Sequence, residues 1–205
     1  MHPEILESGT RSVLDKIRTG GILSEFYMVG GTALALAYGH RKSIDLDFFS
    51  KTDFALSSLK EKISMLGTYT LENEESGTLD GILDEVKVTF LRYSYPLLFP
   101  LGSFEGVSLA DPRDIACMKI DAISSRGSKK DFIDLYVLLE HYSLPEILGF
   151  FEKKYASINY NKLHLLKSLS YFDDAEDEPS PVMLRDITWE NVKKKISSEA
   201  HSLVH

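Results

Sequence analysis

The chain has 205 residues, of which 43% are hydrophobic and 26% charged, the composition of a globular protein long enough to bury a core. Its formal net charge of −8 at pH 7 disfavours a surface that coats nucleic acid, although it does not exclude RNA as a substrate. No apolar run of the sequence approaches the length of about 20 residues needed to span a bilayer, and no basic-then-apolar leader is present. We therefore expect no membrane partner and a cytoplasmic location.

The first third of the chain alternates helix and strand patterns. Apolar residues recur at helical spacing near the N-terminus, and a Gly-Gly turn separates a buried strand from a helix of small residues. The predicted elements are a helix over residues 4–18, a strand over Phe26–Val29, a helix over Thr32–Tyr38, a strand over Ile44–Phe49 and a helix over Ser57–Leu66.

The next segment has strand patterns. In Glu85–Leu91, Val86, Val88 and Phe90 are expected to point inward, with Lys87 and Thr89 on the other face. Shorter strand-prone runs precede and follow it. These runs are Thr68–Leu71, Thr78–Ile82 and Gly106–Leu109, the last predicted as an edge strand.

The remainder is predicted to be helical. Asp111-Pro112 is a strong helix start, Gly127 a stop, and Ser128-x-x-Asp131 the pattern of a capping box that opens the next helix. Further helices are expected over Leu144–Tyr155, Asn161–Ser170 and Trp189–Leu203, with a solvated acidic loop over Asp173–Glu178 and a core position for Cys117, the single cysteine. We therefore predict an α+β fold, with a core over residues 1–110 and a helical C-terminal part over residues 111–205 packed on it.

The strongest functional signal lies between Val29 and Phe49. Alternation around Leu46 predicts that Asp45 and Asp47 lie on one face of a strand, about 6–7 Å apart at a rise of about 3.3 Å per residue. Two such carboxylates can bind a hard divalent cation, Mg²⁺ or alternatively Mn²⁺. Gly30-Gly31, before a helix N-terminus, lets backbone N–H groups approach phosphates. Together these features predict a phosphate-and-metal site, as nucleotidyl transfer requires.

Structural alternatives exist for these residues. The two aspartates could form the polar face of an edge strand, but Asp is unfavourable in strands, and two on one face repel unless a cation neutralises them. Gly30 and Gly31 could form a tight turn without a ligand. Arg41 could pair with Asp45 or Asp47, or contact a triphosphate. His40 is expected to be a loop or packing residue, with a general base as the alternative.

A second group of polar residues lies in the predicted helical part. Lys119 and Arg126 are seven residues apart and share a helix face, and Lys130 and Asp134 share a face of the next helix. A turn at Gly127 would bring the two faces together. The structural alternative is a set of surface ion pairs, Lys119 with Asp121 and Lys130 with Asp134, worth about 0–1 kcal/mol each.

Several of these stretches resemble the AbiEii/AbiGii toxin family of the nucleotidyltransferase superfamily. The resemblance runs from about Ile22 to Ile196, nearly the whole chain. Its motifs are Gly30-Gly31-Thr32-Ala33-Leu34, Gly39-His40-Arg41, Ser43-Ile44-Asp45-Leu46-Asp47-Phe48-Phe49, Lys119-Ile120-Asp121, Arg126-Gly127, Lys130-Asp131-Phe132-Ile133-Asp134, Tyr171-Phe172-Asp173-Asp174 and Trp189-Glu190-Asn191-Val192.

The resemblance implies a nucleotidyltransferase-like mixed sheet flanked by helices, and an enzyme that uses Mg²⁺ and an NTP. It implies catalytic roles for Asp45, Asp47, Lys119 and Asp134, with Asp45 and Asp47 as the metal ligands. It implies nucleotide binding by Gly30, Gly31, Thr32, Arg41, Arg126 and Lys130. Related enzymes also supply a third carboxylate from a neighbouring strand. Here Thr89 stands near that place, and Glu85 lies close to a turn.

The implied biological setting is a toxin–antitoxin or phage-defence pair. The acceptor would then be RNA, tRNA included, or a protein hydroxyl, and a cognate antitoxin would be a partner. One alternative is a catalytically impaired nucleotide-binding protein, because the third acid is missing. Another is nucleotidylation of a small molecule, which the lack of an acidic acceptor pocket apart from Asp173–Glu178 disfavours.

Overall fold

A seven-stranded mixed β-sheet organises the first part of the chain in the computed structural model, which describes residues 1–203. The strand order is β3-β4-β5-β2-β1-β7-β6, in which β2 is parallel to β5, β1 is parallel to β7, and the other neighbouring pairs are antiparallel. The strands are β1 (Tyr27–Val29), β2 (Leu46–Ser50), β3 (Tyr69–Glu75), β4 (Thr78–Leu83), β5 (Val86–Arg92), β6 (Gly102–Phe104) and β7 (Val107–Leu109).

The predicted alternation of β5 is confirmed. Val86, Val88 and Phe90 are buried, and Phe90 stacks on Phe48 of β2 with ring centroids 5.2 Å apart. Because side chains alternate along a strand, Thr89 lies on the opposite face. One face of β2 and β5 therefore belongs to the apolar core, and the other carries Asp47 and Thr89 together with the half-buried Phe49 and Leu91.

Two strand predictions are wrong in detail. β7 is not an edge strand, because β6 pairs with it on its outer side through a hairpin with positive φ at Glu105 and Gly106. β5 begins at Val86 and not at Glu85, since Glu85 has a φ of 68° in the turn that joins β4 to β5.

The helices follow the apolar periodicity of the sequence, with ends that shift by a few residues. α1 begins at Ser8, later than expected, after a short 3₁₀ turn at Pro3–Ile5. The helices are α1 (Ser8–Thr19), α2 (Gly30–Tyr38), α3 (Leu56–Ser64), α4 (Pro112–Ser125), α5 (Lys129–Leu138), α6 (Leu144–Lys154), α7 (Lys162–Ser168), α8 (Asp173–Glu176) and α9 (Trp189–His201).

The described chain separates into two compact units. The first contains Met1–Pro96 and Pro100–Asp111, and includes the whole sheet. The second contains Leu97–Phe99 and the helices from Pro112 onward. The packing of the helical part on the core stays a prediction.

A buried ion pair organises the second unit. Lys154 of α6 donates from Nζ to Asp114 Oδ1 of α4 at 2.7 Å, and both side chains are fully buried. The Asp114 carboxylate also accepts the backbone N–H groups of Leu98 and Phe99, at 3.1 and 3.0 Å. These bonds hold the segment Leu97–Phe99 in the second unit. Within residues 1–203, no helix has the length and apolar character needed to cross a bilayer.

Candidate active site

The Gly-Gly turn is the start of helix α2. The helix begins at Gly30, two residues earlier than predicted, and Val29 at the end of β1 is its N-cap. The first N–H groups of a helix have no partner within it, so this end can bind an anion. Gly30 has a φ of 71°, a conformation that glycine adopts without strain.

Asp47 lies beside this turn. It pairs with Val29 of β1 on one side and with Thr89 of β5 on the other. A Cβ atom on Gly30 would overlap Asp47 Oδ2 and lie 3.2 Å from its Cγ. The carboxylate therefore fills the space that a side chain at position 30 would take, beside the N-terminus of α2.

Asp47 is part of a row of paired polar residues, Asp47, Thr89 and Asp80, on three neighbouring strands. Thr89 pairs with Asp47 on β2 and with Asp80 on β4, and paired residues share a face. The expected position of Thr89 beside the aspartate strand is confirmed. Asp80 was not predicted as a site residue, because its place two strands away depends on strand register. Within residues 1–203, its carboxylate forms no ion pair and no side-chain hydrogen bond.

Asp45 differs from its prediction, since it lies one residue before β2 and not in the strand. Its carbonyl oxygen accepts the hydroxyl of Thr32. Its half-buried carboxylate forms no ion pair or hydrogen bond with another of residues 1–203. The alternative in which Arg41 pairs with Asp45 is therefore not what this part of the chain shows.

Two basic side chains of the loop between α2 and β2 are buried. Arg41 is 3% exposed and donates from Nη1 to the carbonyl of Lys42 at 3.0 Å, and His40 is fully buried. Burial of His40 fits the expected packing role. The buried Arg41 guanidinium places one fixed positive charge in the loop that leads to the two aspartates.

The oxygen atoms of this unit suit Mg²⁺ in chemistry. Mg²⁺ is commonly bound through one or two carboxylates, with water and substrate phosphates as the remaining ligands. Within residues 1–203, no group of three or more His, Cys, Asp or Glu side chains is placed to bind a metal ion. Asp45 and Asp47 thus fit one ion shared with a triphosphate better than a site made by protein ligands alone.

The second group of predicted site residues forms a buried ion-pair network in the other unit. Lys119 Nζ of α4 lies 2.8 Å from Asp131 Oδ1 and 2.7 Å from Asp134 Oδ2 of α5. Arg126 also pairs with Asp131, from Nε to Oδ2 at 3.0 Å, and its side chain is 67% exposed. The predicted convergence of Lys119 and Arg126 is confirmed, but Lys119 pairs with α5 and not with Asp121.

The capping box predicted at Ser128 is wrong. Ser128 is the N-cap of α5, but its side chain accepts no backbone hydrogen bond. Its hydroxyl instead donates to Asp131 Oδ2 at 2.8 Å. The Asp131 carboxylate thus contacts three side chains, those of Lys119, Arg126 and Ser128. These contacts take the place of the predicted capping hydrogen bonds.

Asp131 makes the second unit sensitive to acid. Burial alone would raise the pKa of its carboxyl, but Lys119 and Arg126 outweigh burial and hold the pKa below the usual value. A carboxyl group whose pKa is lowered by folding stabilises the folded protein fully at pH values above its unfolded-state pKa of about 3.9. This stabilisation is lost as the pH falls through the folded-state pKa.

We expect Asp131→Asn to lower the free energy of unfolding by about 2 kcal/mol near pH 7, the scale of a lost charge-assisted hydrogen bond. In thermal unfolding, the deficit in Tm should shrink as the pH falls below about 4 towards the lowered folded-state pKa of Asp131, where the wild-type carboxylate also becomes neutral. Asp186→Asn, at an exposed carboxylate of the same unit, is the control. An equal deficit at neutral and acid pH would contradict this assignment.

The lysine that α5 buries is Lys129 and not Lys130. Lys129 is 5% exposed; its Nζ donates to the carbonyls of Glu176, at 2.9 Å, and Glu178. The Glu178 carboxylate accepts the backbone N–H of Lys129 at 2.7 Å. Most of the segment Asp173–Glu178 is exposed, as predicted, but it is not a loop, since it contains α8 and anchors the start of α5. Lys130 is exposed.

A model of the nucleotidyl transferase AbiEii toxin family, type IV toxin–antitoxin system, matches the chain over residues 13–104 and 90–202. The chain belongs to this family. The AbiEii resemblance predicted from the sequence is thereby confirmed, and family membership makes the protein a nucleotidyltransferase of the toxin type.

Proteins similar to this AbiEii family member match most of its length, and the solved structures among them share its fold. An uncharacterized protein of Aquifex aeolicus is 39% identical over 197 residues, which cover 92% of this chain and 93% of that protein. JHP933 of Helicobacter pylori is similar in structure, with a TM-score of 0.59, 16% identity and coverage of 97% and 93%. MenT4, a nucleotidyltransferase toxin of Mycobacterium tuberculosis, gives a TM-score of 0.56, 13% identity and coverage of 95% and 86%. These likenesses confirm the predicted nucleotidyltransferase-like α+β fold.

Proposed function

We propose that the protein transfers a nucleotide from an NTP to a hydroxyl of RNA, tRNA included, in a Mg²⁺-dependent reaction of a toxin–antitoxin or phage-defence system. The observation that carries the proposal is the Asp47 carboxylate, half-buried against Gly30 at the N-terminus of α2. A protein hydroxyl is the alternative acceptor. A cognate antitoxin is the proposed regulatory partner.

In this proposal the first unit handles the triphosphate. The N–H groups of Gly30 and Gly31 bind phosphate oxygens, and Asp45 and Asp47 hold the cation. Bound Mg²⁺, or Mn²⁺, offsets negative charge on the α-phosphate and on the pyrophosphate leaving group. Arg41 adds a fixed positive charge. The acceptor hydroxyl oxygen bonds to the α-phosphorus while the bond to pyrophosphate breaks, and the hydroxyl proton passes to solvent.

In the second unit, the proposal gives Asp134 and Lys119 linked roles. Asp134 is fully buried, so it acts by orienting Lys119, whose Nζ donates to Asp134 Oδ2 at 2.7 Å. Arg126 is exposed enough to contact a phosphate or sugar, and Lys130 is exposed on the same helix as Asp134. We assign these two side chains to nucleotide or acceptor binding.

A catalytically impaired nucleotide-binding protein is the second candidate. Thr89 stands beside Asp47, where a carboxylate would make a third metal ligand, and a neutral hydroxyl is a weaker ligand. This protein would bind an NTP and release it unchanged. The two candidates differ in one measurable property, the formation of a covalent product.

We expect labelled nucleotide to be incorporated when the purified protein is incubated with Mg²⁺ and each of the four α-labelled NTPs. Total tRNA, other cellular RNA and a nuclease-treated lysate serve as separate acceptors. EDTA should abolish the signal and added Mg²⁺ or Mn²⁺ restore it, because the phosphate charge then has its counter-ion again. Incorporation of label in the nuclease-treated lysate alone would show that the acceptor is a protein and not RNA. NTP binding without incorporation in any fraction would favour the impaired candidate.

A further inference from the structure

We propose that two residues of the turn that opens α2 are positioning residues for the metal site: Thr32 positions Asp45, and Gly30 positions Asp47. The inference rests on the proposed function. It changes the role of Thr32 from a phosphate contact to a support for Asp45. It also gives Gly30 a role toward Asp47 in addition to any contact with phosphate.

Asp45 needs such support because the sheet does not hold it. The ladder between β1 and β2 ends at the pair of Val29 with Asp47, and the ladder between β2 and β5 begins at Leu46. The peptide of Asp45 lies outside both ladders. Its carbonyl is bound by the Thr32 hydroxyl of α2.

The Thr32 hydroxyl is committed to this contact. Thr32 is 1% exposed, and its Oγ1 also lies 2.8 Å from Ser43 Oγ. A hydroxyl has one proton, and the Asp45 carbonyl can only accept, so Thr32 donates to Asp45 and Ser43 donates to Thr32. Helical threonines often bond to a carbonyl of the preceding turn, whereas this one bonds to a residue 13 positions later.

Gly30 affects the position of Asp47 because glycine has no Cβ atom. The backbone of Asp47 is fixed by pairing on both sides, so its side chain can move only by rotation about its own bonds. Any Cβ at position 30 would lie against its carboxylate. Glycine at this position therefore leaves the space in which the Asp47 carboxylate lies.

Mn²⁺ binding, measured by electron paramagnetic resonance, tests the inference without turnover. We expect Thr32→Val to weaken Mn²⁺ binding about tenfold, at the lower end of effects for residues that support metal ligands. Thr32→Ser keeps the hydroxyl and should bind within about twofold of wild type. Ser43→Ala, which removes the second hydroxyl, should give a smaller change in the same direction. Unchanged Mn²⁺ affinity in both Thr32→Val and Ser43→Ala would overturn the role of Thr32.

The role of Gly30 has a matched control in Gly21. Both glycines have φ near 70°, but a Cβ on Gly21 would meet no atom within 4 Å. Gly21→Ala therefore introduces the same kind of backbone strain without the overlap with a carboxylate. We expect Gly30→Ala to weaken Mn²⁺ binding about tenfold and Gly21→Ala to leave it unchanged. Equal affinities in the two variants would overturn the role of Gly30.

Asp47→Asn separates this inference from the proposed function. If Asp47→Asn binds Mn²⁺ as tightly as wild type, the proposed metal site is wrong. If Asp47→Asn loses the ion while Thr32→Val and Gly30→Ala retain it, the metal site stands and the positioning role is wrong.

Discussion

Asp47→Asn is expected to abolish nucleotide transfer, lowering the rate of label incorporation by at least about a hundredfold. Loss of one of two carboxylate ligands removes metal stabilisation worth several kcal/mol, and each about 1.4 kcal/mol corresponds to a factor of ten in rate. The fold should persist, because the strand pairs of Asp47 use its backbone. Incorporation assays at saturating Mg²⁺, with Tm measured in parallel, would show both effects.

Asp53→Asn is the matched control for this variant. Asp53 belongs to the same unit, is exposed, and pairs with Arg92 at 3.0 Å. Its loss should leave transfer unchanged. Asp45→Asn should behave like Asp47→Asn, since both carboxylates are assigned to the same ion. Full activity in both aspartate variants would refute the metal assignment.

Lys154→Met is expected to produce the largest loss of stability in the second unit, about 3–5 kcal/mol in the free energy of unfolding. The substitution leaves Asp114 as a fully buried carboxylate without its cation. The N–H groups of Leu98 and Phe99 still bind that carboxylate, but they carry no full charge. Chemical denaturation, followed by circular dichroism, would measure the change.

A double variant separates the ion pair from simple packing. Lys154→Met combined with Asp114→Leu removes both charges, and we expect it to recover part of the lost stability. Lys162→Met is the control, because it breaks an exposed pair with Glu152 and should cost less than about 1 kcal/mol. Equal losses in the single and double variants would show that buried charge is not the cause.

Much of the fold could be predicted because local periodicity determines it. Val86, Val88 and Phe90 alternate with polar residues, and this pattern alone identified β5 and its buried face. β6 was missed because Gly102–Phe104 is short and has one buried apolar residue, Phe104, whereas the equally short β1 and β7 have more. The boundaries near glycine and proline were predictable to within a few residues, since these residues restrict or free the backbone in known ways.

The candidate site was only partly readable from the sequence. Asp45, Asp47 and the Gly-Gly turn are close in sequence, so their pattern was visible. Asp80 was missed because only strand register shows that it lies in one row with Thr89 and Asp47.

The second unit shows the same limit. Asp131 looked like a helix cap, but partners 12 and 5 residues away in Lys119 and Arg126 decide its role. Local patterns predict local structure, whereas contacts between distant residues depend on the tertiary fold.

Because Cys117 is buried and unreactive, a cysteine introduced elsewhere in this chain could be labelled selectively. It is the single cysteine of the sequence, it is fully buried, and burial raises the pKa of its thiol to about 12. A thiol that stays protonated and shielded does not react with maleimide or iodoacetamide. Reaction at this position would therefore report opening of the second unit, and a cysteine introduced on the surface could carry a fluorophore without removal of the native one.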